Sequence, residues 1–369
     1  MSDPFLDLPG AIAASDLDAA AHFGAPLPEQ RALEAGNAIV SLAHRGAVTV
    51  SGPDRLSWLH SMTSQQLTGL RPGESTETLL LGPTGRVEQA IRVVDDGERA
   101  WLLVDEGAAE PLAAYLNRMR FALRVEVADV SGEYAAVLAF EGGAALPALR
   151  ELGTAVAEWR DPWGSVQRGG VQYAHGAHPG EGWTATQLVF RREDLSAAAA
   201  LTTSGEIRAA GLMALDALEV RAGRPTLHAE ADERAIPHEF DWLRTAVHLT
   251  KGCYRGQETV AKVHNLGHPP RRLALLHLDG SGGELPEAGA LVHVAGADPD
   301  ARPVGRVTRA ALHYEWGGIA LALLKRSVPE DAALEVSLGE SGGRVAATQE
   351  VIVPADAGSA RDIPKLKRL

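Results

Sequence analysis

The chain has 369 residues, more than one hydrophobic core usually serves, and 45% of them are hydrophobic, so two or three separately packed domains are expected. Its formal net charge of −13 argues against a nucleic-acid partner, since binders of the phosphate backbone present a basic face. The single cysteine excludes an intramolecular disulfide and a thiolate set able to hold an iron–sulfur cluster.

Residues 1–34 mix Ala, Asp and Pro without sustained periodicity and read as an irregular arm with at most a short helix. Asp3 and Asp7 precede any apolar stretch, so no secretory signal is expected. No span has the length of a transmembrane helix, which predicts a cytoplasmic protein without a membrane partner. Two alternating runs over 38–50, about His44-Arg45-Gly46, predict a hairpin ending at Gly52. Pro53 suits a first helical turn; Leu56, Leu59 and Met62 follow at helical spacing, with Asp54 near the positive helix end. Strands over 77–81, 86–94 and 100–104 are separated by Gly82-Pro83-Thr84-Gly85 and Asp95-Asp96-Gly97, which predicts a meander. A helix over 108–119 and a strand over 124–129 complete an α+β domain.

A second region opens at Ser131-Gly132. Strands over 135–140 and 184–190, a helix near 146–152 and an Ala-rich helix suggest a ferredoxin-like unit. His175 and His178 lie in its Gly-rich stretch without a cysteine or acidic ligand set, and read as exposed. Residues 211–221 look helical. Beyond 263, short strands over 271–278, 290–294 and 319–324 between Gly and Pro clusters predict a β-barrel or sandwich. The basic run Lys365-Leu366-Lys367-Arg368 reads as a solvated end.

Chemistry concentrates in Lys251-Gly252-Cys253-Tyr254-Arg255-Gly256-Gln257-Glu258. A thiolate is the reactive form of cysteine, and Lys251 and Arg255 would favour it if their charges lie near Cys253. Gly252 and Gly256 supply backbone freedom. The competing reading makes Cys253 a small buried hydrophobe in a turn. His264 and His268 have a spacing that would suit a metal on a helix, but Gly267 and Pro269 interrupt it, so no metal site is expected. No phosphate-binding P-loop, dinucleotide fingerprint or nucleophile elbow occurs.

Around that octapeptide stand Ile236-Pro237-His238-Glu239, Thr259-Val260-Ala261-Lys262 and Pro270-Arg271-Arg272-Leu273. Upstream lie Gly52-Pro53-Asp54-Arg55-Leu56-Ser57-Trp58-Leu59, Gly82-Pro83-Thr84-Gly85-Arg86 and Arg221-Ala222-Gly223-Arg224-Pro225. Together they resemble the YgfZ family, folate-binding proteins related to the glycine-cleavage T protein and tied to maintenance of iron–sulfur enzymes. The resemblance implies two α+β domains, one of them ferredoxin-like, plus a C-terminal β-barrel around a central channel. Residues 1–131 with 206–262 would form the folate-binding unit, 132–205 the ferredoxin-like unit and 263–369 the barrel. It implies tetrahydrofolate as ligand, with the Glu239 carboxylate receiving the paired N–H donors of a pterin; Arg55 is a reserve candidate for contacting the ligand, beside its reading as part of a helix-start pair with Asp54. Cys253 and Lys251 would carry chemistry, while Gly252, Tyr254, Gly256, Gln257 and Glu258 shape the signature loop; Gln257 and Glu258 would tie it to a neighbouring strand.

One departure matters for mechanism. Where the T protein has an essential Asp, this chain reads Glu88-Gln89-Ala90, with Gln89 or Ala90 at the Asp position. An amide is no carboxylate base, and Glu88 would face the other side of a strand. The expected function is a tetrahydrofolate-binding accessory protein that supports assembly or repair of iron–sulfur enzymes, with client or assembly proteins as partners. The alternative is a folate-dependent one-carbon transferase or demethylase that uses another base.

Overall fold

The computed structural model describes residues 2–280, 283–298, 301–339 and 342–360. The basic run at 365–368 lies outside them. One five-stranded antiparallel sheet takes Ser75–Leu81, Val87–Asp95, Arg99–Val104, Gly46–Ser51 and Glu126–Asp129 in that order. Its first three strands are the meander read from the two turns. Helices Arg55–Met62 and Ala109–Met119 cover one face, burying Trp58, Leu59, Leu112 and Leu116 against Val48, Val50, Ile91 and Val93.

The second sheet runs Ala157–Arg160, Ala185–Arg191, Tyr134–Phe140, Ala38–Ser41, Arg208–Ala209. Without Ala38–Ser41 this is the ferredoxin-like βαββαβ arrangement, with helices Ala145–Glu151 and Leu195–Ala200 packed through Leu146, Leu149, Leu195 and Ala198. The hairpin expected over 38–50 does not form. Ala38–Ser41 pairs with Tyr134–Phe140 and Arg208–Ala209, whereas Gly46–Ser51 pairs in the other sheet. The reason is burial: all of 38–41 and five of the six residues in 46–51 are buried, and a two-stranded ribbon cannot cover both faces of such strands.

The N-terminal arm also has more structure than its composition suggests. It holds a 3-10 turn at Pro4–Asp7, the strand pair Ile12–Ala13 and Ala20–His22, and a helix at Pro26–Glu34. That helix lacks a polar N-cap, which hid it from the sequence. Pro26 starts it, and the Glu29 carboxylate accepts hydrogen bonds from the backbone N–H groups of Phe23 (2.8 Å), Ala25 (3.1 Å) and Gly211 (3.0 Å).

Six strands close the C-terminal barrel, in the order Arg271–Leu278, Gly317–Lys325, Gly305–His313, Leu291–Val294, Leu334–Ser337, Arg344–Val351. Alternation sorts their side chains: Leu273 and Leu275 join the central core, while Ala274 and Leu276 point into the barrel with Val292, Val307, Leu324 and Val336. The barrel interior is therefore packed, and any passage implied by the resemblance lies elsewhere.

Buried ion pairs join the units. Arg224, in the segment after helix Leu212–Arg221, reaches Glu77 of the first sheet (2.7 Å) and Asp161 beyond the second (3.0 Å). Arg309 of the barrel reaches Glu219 (2.6 Å) and Glu230 (3.0 Å).

Candidate functional site

Three stretches far apart in sequence meet at the octapeptide. Helix Gln257–Leu266 begins at Gly256, whose φ of 82° suits glycine. A Cβ there would sit 2.6 Å from the Gly82 carbonyl oxygen and 2.9 Å from the Gly85 Cα. The Gly82-Pro83-Thr84-Gly85 turn thus docks directly on the loop, backbone to backbone. On another side, the Lys251 ammonium donates to the carbonyls of His60 (2.5 Å), Thr63 (2.5 Å) and Gln65 (2.9 Å), at and just beyond the C-terminal end of helix Arg55–Met62. These carbonyls lie where a helix leaves acceptors unmet and favours a cation. Burial lowers the Lys251 pKa to about 7, and the three acceptors oppose that by favouring the ammonium.

Tyr254 is buried with its ring centroid 4.9 Å from the Lys251 nitrogen. Arg255 pairs with Glu88 (3.1 Å) and donates to the Tyr115 hydroxyl (3.1 Å). The Gln257 side-chain amide donates to the Lys251 carbonyl at 3.3 Å, closing the loop on itself. Within this frame Gly252 and Cys253 are exposed, so Cys253 is not the buried hydrophobe of the competing reading.

Other assigned residues have different partners from those expected. All three Lys251 donors are engaged by carbonyls, leaving none for an anionic ligand. Neither Gln257 nor Glu258 reaches a strand; Glu258 is exposed in the first helical turn, where its charge favours the helix end. Arg55 is held by Asp95 (2.7 and 2.8 Å) and by the Gly97 carbonyl (2.7 Å), fastening its helix to the Asp95-Asp96-Gly97 turn.

Glu239 is fully buried in the 3-10 turn Pro237–Phe240. Its Oε1 accepts from Arg271 Nε (2.8 Å), and its Oε2 accepts from Arg271 Nη2 (2.9 Å) and the Ile236 N–H (3.2 Å). Arg271 also binds Asp232. The bidentate geometry foreseen for a pterin is thus occupied by an arginine of the barrel, and the carboxylate in this arrangement does not fit a pterin. The Gln89 Oε1 is buried without a hydrogen-bond partner. A register slip leaves Glu88 as a bulged residue opposite the Leu80–Leu81 step and re-aims it at Arg255.

Beside Glu239 lies a polar cluster that no sequence signal marked. Asp241 adopts a left-handed conformation (φ 56°) between two 3-10 turns, and its Oδ1 accepts the Tyr173 N–H at 3.2 Å. Its Oδ2 lies 3.5 Å from His178 Nε2. Burial pushes the Asp241 carboxyl well above the usual carboxylate range and lowers His178 to about 3, so His178 stays uncharged near neutrality. His178 is buried, contrary to its expected exposure in the Gly-rich stretch, whereas exposed His175 pairs with exposed Asp356. His238 Nε2 contacts the Val260 carbonyl at 3.0 Å, and burial lowers its pKa to about 4. His264 and His268 have separate partners, the Tyr173 hydroxyl (3.0 Å) and the Ala357 carbonyl (2.8 Å).

Comparison with known proteins agrees with this fold. Residues 18–251 match the family model described as the GCVT N-terminal domain. A chloroplastic "Putative transferase" of Arabidopsis thaliana is 27% identical over 289 residues, 75% of this chain and 62% of that one. The tRNA-modifying protein YgfZ of Edwardsiella ictaluri is 25% identical over 292 residues, 78% of this chain and 85% of its own. A mitochondrial homolog of the iron–sulfur cluster assembly factor IBA57, from Mycosarcoma maydis, is 24% identical over 259 residues, 64% of this chain and 56% of that one. This chain therefore spans less than two thirds of the length of the Arabidopsis and Mycosarcoma relatives. Among solved structures, the glycine cleavage system aminomethyltransferase T from Bartonella henselae shares the fold, with a TM-score of 0.74 over 96% of each chain at 17% identity. No helix among the described residues is long and apolar enough to cross a membrane. The family model covers more than half of the sequence, and the chain belongs to the family of the GCVT N-terminal domain, related to both YgfZ and the aminomethyltransferases.

Proposed function

We propose that this chain is a tetrahydrofolate-binding accessory protein that supports assembly or repair of iron–sulfur enzymes through the Cys253 thiol. The observation that carries this reading is the fixation of one exposed cysteine by Lys251, Arg255 and Gly256, which draw on two further family motifs. A thiolate is a nucleophile and a soft metal ligand, and a rigid exposed loop presents it to a partner protein or to a cluster in transit. The IBA57 homolog, named as an iron–sulfur cluster assembly factor, supports the same reading. Gln89 supports an accessory role over aminomethyl transfer, because its amide supplies neither a base nor a negative charge.

The decisive experiment is complementation of a deletion strain with Cys253→Ser, scored by the activity of iron–sulfur enzymes. Loss of support with normal protein level is the expected outcome. Wild-type support by the variant would remove the thiol from the function. The folate part is tested by anaerobic calorimetric titration of tetrahydrofolate into wild type, Glu239→Gln and Arg271→Ala. Binding by wild type that Glu239→Gln loses and Arg271→Ala retains assigns the carboxylate to the pterin. Binding by all three makes Glu239 an anchor of the barrel alone, and no binding by folded wild type removes folate.

The second reading, a one-carbon transferase or demethylase, has support in the Arabidopsis relative named as a transferase. It predicts conversion of tetrahydrofolate to a methylene or methyl form when an amine or methyl donor is supplied. Absence of turnover across such donors would exclude it.

A further inference from the structure

We propose that the cleft between residues 65–76 of the first domain and 160–168 of the second binds a small oxyanion, a carboxylate or a phosphate, through Arg168 and His248. The cleft has a volume of ≈ 660 Å³, and its mixed polar and apolar lining includes both residues. Its acids are already engaged: Glu74 by Arg71 (2.7 Å), and Asp161 by Arg224 (3.0 Å) and the Trp183 indole N–H (2.8 Å). Arg160 shares Glu158 with Arg150. Arg168, by contrast, is exposed and has no ion-pair or hydrogen-bond partner among the described residues.

His248 is fixed next to it. Its backbone N–H donates to the Ser64 carbonyl (3.0 Å), and a Cβ on Gly169 would lie 2.4 Å from its ring. That close approach, at a φ of 78°, requires glycine beside Arg168. The His248 Nδ1 is buried without a hydrogen-bond partner. Burial, then the nearby charges of Arg168 and Lys251, lower the pKa of His248. Arg168 thus stands at the cleft without a counter-ion among the described residues, in a chain whose net charge is −13. A bound oxyanion relieves this: it accepts from the guanidinium fork, and the imidazole N–H of His248 supplies a second donor. The inference does not depend on folate binding or on Cys253.

The test follows the His248 Cε1–H resonance of the full chain by ¹H–¹³C NMR at constant ionic strength, with inorganic phosphate and glutarate added separately. The His248→Gln variant assigns the peak. A saturable shift is expected, with affinity weakened about tenfold or more in Arg168→Ala and further in Arg168→Glu. Because Arg168 is exposed and unpartnered, neither change perturbs the fold. Tighter phosphate binding identifies a phosphate site, tighter glutarate binding a carboxylate site, and equal binding a general oxyanion site. Non-saturating shifts with both anions, or affinities unchanged in the two Arg168 variants, would overturn the proposal.

Discussion

An ammonium group has three donors, and a helix end has carbonyls that need them; Lys251 supplies all three to one place. Lys251→Met keeps the stem but leaves buried acceptors unmet, and is expected to cost roughly 2–4 kcal/mol in denaturant unfolding. Cys253→Ser, at an exposed position, should stay within about 0.5 kcal/mol. A comparable loss in both would show that the thiol is packed after all. His238 gives a pH signature. Its folded pKa of about 4 lies below the ordinary 6.5, so between those values the unfolded chain binds the extra proton. Its contribution is complete above about pH 6.5 and is lost as pH falls towards 4, with a slope near 1.4 kcal/mol per pH unit. In His238→Gln, stability measured from pH 7 to 4.5 should lack that component; an identical acid limb would contradict it. At this scale the sequence was a partial guide. The octapeptide around Cys253 stood out in the sequence, but the bulge at Glu88 and the arginine that occupies Glu239 did not, because no local pattern announces a slipped register or a partner 32 residues away.

The loop and the turn that docks on it are sensitive to added volume. Gly256→Ala combines a left-handed backbone with a Cβ pressed onto the Gly82 carbonyl, and is expected to destabilise by roughly 2–4 kcal/mol and displace the turn. Gly252→Ala meets open space and should be nearly neutral. Thermal unfolding of the pair checks the contrast, and equal Tm values would contradict the docking. Element types were readable where a local signal marks them: the meander from its two turns, although its strands are buried on both faces, and helix Ala109–Met119 from its helical periodicity. Ala38–Ser41 was misplaced because the turn beside it suggested a local partner, whereas its burial on every side calls for sheet neighbours from far along the chain. The short helix allowed within 1–34 could not be placed at Pro26–Glu34 because its end is satisfied by Glu29 from within rather than by a polar cap.

Across the molecule, the units are joined by charges with almost no access to water. Arg309 links the barrel to Glu219 and Glu230, both buried. Arg309→Met would leave two carboxylates facing each other, and a loss of about 3–5 kcal/mol is expected. Adding Glu219→Gln should recover part of it, as measured by denaturant midpoints; no recovery would show that the arginine acts by packing alone. Such links were invisible in the sequence, since charge count reports no geometry, while the barrel was visible because its short strands recur between glycine and proline clusters. The crossing of Ala38–Ser41 into the second sheet also has a consequence for biosynthesis. Its neighbours Tyr134–Phe140 and Arg208–Ala209 emerge later, so at about 5–20 residues per second a nascent chain carries this apolar strand unpaired for roughly 5 to 20 s before the first of them is made. A ribosome-bound fragment ending before Tyr134 would expose a sticky edge, making this interval the point at which a chaperone has most to shield.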